Sequence, residues 1–89
     1  MKAIYKYKLE SEACSIFLPK GAEILCAQAQ NEIPCIWVLL NPNILFDELR
    51  RFCILVTGPG YDVQEKLRYI NTLQLQGGKI VLHIFEALN

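Results

Sequence analysis

The run Thr57–Gly58–Pro59–Gly60–Tyr61 closes a stretch of β-branched and aliphatic residues, and it is the first place in the chain to look for chemistry. Two glycines around a proline can aim several backbone N–H groups at one point, and the missing side chains let an anion come close. Arg50 and Arg51 lie a few residues upstream, and a guanidinium fork suits phosphate. The same five residues would equally make an ordinary turn. A second group comprises Gln28, Asn31 and Trp37. An indole can stack on a base, and side-chain amides can read a purine edge through paired hydrogen bonds. Against this, the lone tryptophan of a small β-domain is commonly core, and amides can simply solvate a strand. The expected ligand-binding set for a phosphorylated small molecule is therefore Gln28, Asn31, Trp37, Arg50, Arg51, Thr57, Gly58, Gly60 and Tyr61.

Catalysis needs a positioned nucleophile, base or metal. The only histidine is His83, in the middle of an apolar run. Cys14, Cys26, Cys35 and Cys53 form no CxxC pair and each sits among apolar residues, where a free thiol behaves as a small buried hydrophobe. None lies beside a helix start or a basic cluster that would lower its pKa, and a zinc site is not expected. The residues point to a binder, not an enzyme, with no metal and no cofactor.

The elements that must hold these residues fit one domain spanning residues 1–89. Lys plus Arg is 9 and Asp plus Glu is 9, for a formal net charge of zero. That argues against counterion-driven binding of long nucleic acid, which requires a clustered basic surface, but permits a small anion held by two or three cations. A hydrophobic fraction of 53% is high for so short a chain, since a small domain buries little more than half of the surface its unfolded chain exposes. The surplus implies apolar surface given to a partner, and a homo-oligomer is expected. No signal peptide or membrane span is apparent, so a cytosolic, reduced protein without membrane contact is expected.

Alternation assigns the strands. Lys2–Leu9 (KAIYKYKL) sets lysines on one side, which would blunt a sheet edge. Cys14–Leu18 follows, closed by Pro19, Lys20 and Gly21. Gly21–Leu40 reads as a hairpin whose loop is centred on Glu32 and Ile33. That register opposes Gln28 to Trp37, and puts Leu25, Ala27, Ala29, Ile36, Val38 and Leu40 on the core face. Ile44–Arg51 is expected to be a loop with one helical turn, Phe52–Thr57 a strand covered on both faces, and Asp62–Arg68 a polar connection. The clearest signal is YINTLQLQ, Gly77–Gly78 and KIVLHIFEAL, a hairpin with a primed two-residue turn. It pairs Leu75 with Ile80, Leu73 with Leu82, Asn71 with Ile84, Thr72 with His83 and Ile70 with Phe85. The fold class is all-β, a compact antiparallel β-sandwich or barrel of about seven short strands.

The segments IYKYKLE (Ile4–Glu10), LPKGAEIL (Leu18–Leu25), QAQN (Gln28–Asn31), PCIWVL (Pro34–Leu39), Thr57–Gly58 and YINTLQLQGGKIVLHIFE (Tyr69–Glu86) span nearly the whole chain. Taken jointly they resemble a family of small accessory proteins of tailed bacteriophages, from whose pattern the chain departs at Gly60, a position associated with proline or a histidine neighbour. The resemblance implies a phage immune-evasion protein acting in the host bacterial cytoplasm. It implies an anti-CBASS sponge that sequesters a cyclic nucleotide signal, a cyclic dinucleotide such as cyclic GMP-AMP. Such a ligand is large for any pocket within one 89-residue sandwich, so a site shared between subunits is expected. The alternative from the residues is a protein-interaction module or minor structural phage protein using the Trp37 face.

Overall fold

Period-two alternation and turn chemistry divide the chain into strands β1 (Ala3–Lys8), β2 (Ala13–Leu18), β3 (Glu23–Gln30), β4 (Ile33–Leu40), β5 (Glu48–Val56), β6 (Leu67–Leu75) and β7 (Ile80–Ala87) in the computed structural model, which describes residues 1–88. They form two antiparallel sheets, ordered β1-β4-β3 and β2-β5-β7-β6. The all-β expectation holds.

Between the sheets lies one core. Ala27, Ile36, Val38 and Leu40 come from the three-stranded sheet, and Leu18, Phe52, Ile54, Leu73, Leu82 and Ile84 come from the four-stranded one. Each fully buried Leu, Ile or Phe contributes roughly 1.5–3 kcal/mol. β1 is an edge strand, and its Lys6 and Lys8, with Lys2 just before it, are exposed, as expected of side chains that guard an edge.

Both hairpin turns are primed. In the β6–β7 connection Gly77 and Gly78 have φ of 65° and 94°, and the Lys79 N–H closes the turn on the Gln76 carbonyl at 3.3 Å. Positive φ at both central positions matches the twist of the strands and favours glycine. The pairing of Leu75 with Ile80, Leu73 with Leu82, Asn71 with Ile84 and Thr72 with His83 follows as expected. The β3–β4 turn instead uses Asn31 and Glu32, at φ of 53° and 64°, one residue earlier than the expected centre. Gln28 therefore faces Cys35, and Trp37 faces Cys26. The shift is an even number of residues, so Ala27, Ile36, Val38 and Leu40 keep their core face. Pro34 is accommodated because Gln30 and Ile33 close the turn, leaving Pro34 at a position that need not donate to β3. Glu32 then accepts the Gln76 N–H at 2.6 Å, docking the two turns on each other.

Three further differences matter for the site. Register breaks between Ile24 and Cys26, which turns Leu25 outward (42% exposed) and brings Ile24 to the core in its place. A second break, between Tyr69 and Asn71, gives Phe85 the partner Tyr69 instead of Ile70. Each is a β-bulge, one residue too many on one strand. Finally, the expected helical turn within Ile44–Arg51 is absent: β5 starts at Glu48 and pairs with β2 from Leu18↔Glu48 to Ala13↔Cys53. Charged side chains hid this part of the strand, because Glu48 and Arg50 share the inward parity of Phe52.

Candidate functional site

Where the edge strands β3 and β6 adjoin, the two bulges open a cleft of about 490 Å³. Ile24 and Leu25 form one wall, and Tyr69 and Ile70 the other. Its charged groups are Glu23, Arg50, Arg68 and Glu86, with Glu23 exposed at the start of β3. Glu86 continues the inward parity of Ile80, Leu82 and Ile84 and is only 3% exposed, so it requires a cation. Arg50 supplies it: Nε donates to Glu86 Oε2 and Nη2 to Oε1 at 3.0 Å. Nη1 donates to the Ala22 carbonyl at 2.7 Å, tying β5 to the segment before β3. The hydrogen bond to Glu86 raises the Arg50 pKa further, more than burial lowers it, so the guanidinium is permanently charged. Donor capacity remains on Nη1 and Nη2, since a guanidinium carries five N–H groups. Arg68, opposite Glu86 on β6, is exposed and has no ion pair among the described residues.

A shallow groove of about 330 Å³ lies on the outer face of the three-stranded sheet, lined by Ile4, Leu25, Cys26, Gln28 and Trp37. Trp37 is half-buried and Gln28 exposed. Lys6 is the register partner of Trp37 and donates to Gln30 Oε1. Leu25 lines both the groove and the cleft, so the bulged leucine is a ridge between an aromatic surface and a charged one. Trp37, Gln28 and Arg50 of the expected set are thereby brought to adjoining surfaces.

The remaining members lie elsewhere. Asn31 is accounted for by its left-handed turn position. Arg51 points to the outer face of the four-stranded sheet and pairs with Glu65 at 2.7 Å. Tyr61 accepts the Val56 N–H at 3.1 Å, pinning the loop, and its hollow is shared with Asp62 and Glu65, whose charges oppose a phosphate. Gly58 and Gly60 are exposed, and Thr57 bonds to His83. The Thr57–Tyr61 corner thus does not converge with Arg50 or Trp37 in one protomer.

Sequence reasoning missed Arg68, Glu86 and Leu25. The signal for Glu86 was present, because an acid at core-facing parity needs a buried partner. Bulges at Leu25 and Ile70 carry no comparable mark. Cys53, with its pKa raised by burial and secondarily by Glu65, is held as a neutral thiol. His83 hydrogen-bonds to threonines and not to a cysteine. No cluster of metal-binding side chains occurs among the described residues, and no helix there is long and apolar enough to cross a membrane.

No curated protein and no solved structure matches the chain. A family model described as a domain of unknown function (DUF7352) matches residues 1–89, and the chain belongs to that family.

Proposed function

We propose that the protein binds and sequesters a phosphorylated small molecule bearing a flat heterocycle, without transforming it. The observation that carries this reading is the shared wall at Leu25. A base stacked on Trp37 and contacted by Gln28 would lie one side chain away from phosphate-binding groups on Arg68 and Arg50. A cyclic dinucleotide such as cyclic GMP-AMP has this chemistry, and the resemblance to phage accessory proteins supports it as an immune signal withheld in the host cytoplasm. The groove is open on one side, so a second copy would cover the ligand, and a homo-oligomer is part of the proposal. The test is titration with a panel of cyclic mono- and dinucleotides, followed by heating and analysis of the released ligand. Stabilisation of about 2.7 kcal/mol at a hundredfold excess over Kd, with release of unchanged nucleotide, is expected. No thermal shift with any member would overturn it.

A second reading, docking of a partner protein on the same face, is favoured by the exposure of Ile4 (58%) and Leu25 (42%) beside Trp37. It predicts recovery of a partner protein by wild type but not by Trp37→Ala, and no nucleotide response.

A further inference from the structure

We infer that Thr57 is a base-assisted oxygen nucleophile, an acyl acceptor positioned by His83 on the outer face of the four-stranded sheet, independent of the nucleotide reading. Thr57 Oγ1 lies 2.6 Å from His83 Nε2, His83 Nδ1 lies 3.0 Å from Thr72 Oγ1, and Thr72 Oγ1 lies 2.8 Å from the Tyr69 hydroxyl. This is the nucleophile, base and orienting group of a side-chain nucleophile, assembled from the end of β5, from β7 and from β6. The register builds it: Thr72 is directly opposite His83, and Leu55, opposite His83 on its other side, sets Thr57 one diagonal step away.

A neutral imidazole carries one N–H. With hydrogen on Nδ1, the ring donates to Thr72 and Nε2 accepts from the Thr57 hydroxyl. Thr72 in turn passes its hydrogen to Tyr69. The opposite tautomer also satisfies the chain, because all three hydroxyls both donate and accept, so reaching the base-competent form requires exchange of the ring proton from Nε2 to Nδ1 through solvent together with reversal of the hydroxyl hydrogens.

Thr57 itself is held but open. Its N–H donates to the Val81 carbonyl at 3.0 Å, fixing the backbone. Its side chain is exposed, and a Cβ placed on either Gly58 or Gly60 would meet nothing within 4 Å. Gly58 has φ of 118°, a conformation that keeps side chains out of this approach. No carboxylate backs the imidazole, so the donor must be an activated ester. In the step, Thr57 Oγ bonds to the acyl carbon as its proton passes to Nε2. The bond from that carbon to the leaving oxygen breaks, and the proton is delivered to the departing alcohol or phenol, leaving an acyl-threonine with no change of oxidation state.

The experiment is incubation with p-nitrophenyl acetate, following nitrophenol release and mapping acetyl groups by peptide mass. Acetylation of Thr57 is expected. Its rate should fall by about a hundredfold or more in His83→Gln, the range for loss of a general base. Thr57→Ser should retain the reaction, and circular dichroism checks that each variant is folded. Acetyl found only on lysines, or Thr57 acetylated as fast in His83→Gln as in wild type, would overturn the inference.

Discussion

Arg50 on β5 grips Glu86 on the neighbouring β7 through two points, Nε to Oε2 and Nη2 to Oε1, in the space between the sheets. The acid is almost wholly withdrawn from water and the guanidinium largely so, with side chains 5% and 14% exposed. Desolvating both charges opposes folding, and their mutual attraction together with the bond to Ala22 offsets it. Neither group is tolerable there alone.

Removing both partners should therefore cost less than the two single losses added together. Glu86→Gln and Arg50→Met are each expected to lose about 3 kcal/mol of unfolding free energy, and the double variant less than their sum. Urea denaturation of the four proteins measures it. A coupling below about 0.5 kcal/mol, the scatter of additive sites, would show that the pair does not act as a unit.

Asn71 Oδ1 accepts the Ala27 N–H at 2.9 Å, where the two edge strands adjoin. Ala27 is fully buried, so without this acceptor its amide has no water to turn to. Asn71→Ala should destabilise by about 1–3 kcal/mol, while Asn71→Asp, which keeps the acceptor, should be milder. Amide exchange at Ala27 reads the bond directly. Unchanged protection in Asn71→Ala would mean the amide finds another partner.

Sequence alternation reveals much of this fold because one face of each strand is buried, and a one-residue error would expose the core. The Gly77–Gly78 hairpin is readable for that reason, down to Asn71 opposite Ile84. The β3–β4 hairpin is harder, because Pro34 looks like the turn while the left-handed residues are Asn31 and Glu32. The site is less legible still. It depends on two unmarked bulges that turn Leu25 outward and set Arg68 opposite Glu86. A loop of Thr, Gly and Pro advertises anion binding in sequence, yet Glu65 and Asp62 accompany Arg51 and Tyr61 there.

Cys53 lies half-buried on the outer face near Glu65, and both burial and that carboxylate raise its pKa. A raised thiol pKa means less thiolate at any given pH, and the thiolate is the reactive species. In mildly alkaline buffer, iodoacetamide should label Cys53 more slowly in the folded protein than in urea, with the difference shrinking as pH rises through the raised value. Peptide mapping of alkylated sites checks this. Equal rates in both states would refute the protected thiol.

If one ligand spans the Leu25 ridge, its two ends are held by residues that do not touch each other, and the losses should add. Trp37→Ala removes a stacking surface, about 1–3 kcal/mol per base. Arg68→Ala removes a charged donor, about 1.5–3 kcal/mol. Each single variant should weaken cyclic dinucleotide binding by roughly ten- to a hundredfold, and the double variant by the product. Arg51→Ala, whose side chain is paired with Glu65 on the outer face of the four-stranded sheet, should bind as wild type does. Calorimetric titration distinguishes the cases. A ligand confined to the groove would leave Arg68→Ala silent, and one confined to the cleft would leave Trp37→Ala silent, so either silence dismisses the bridging arrangement even if binding itself persists.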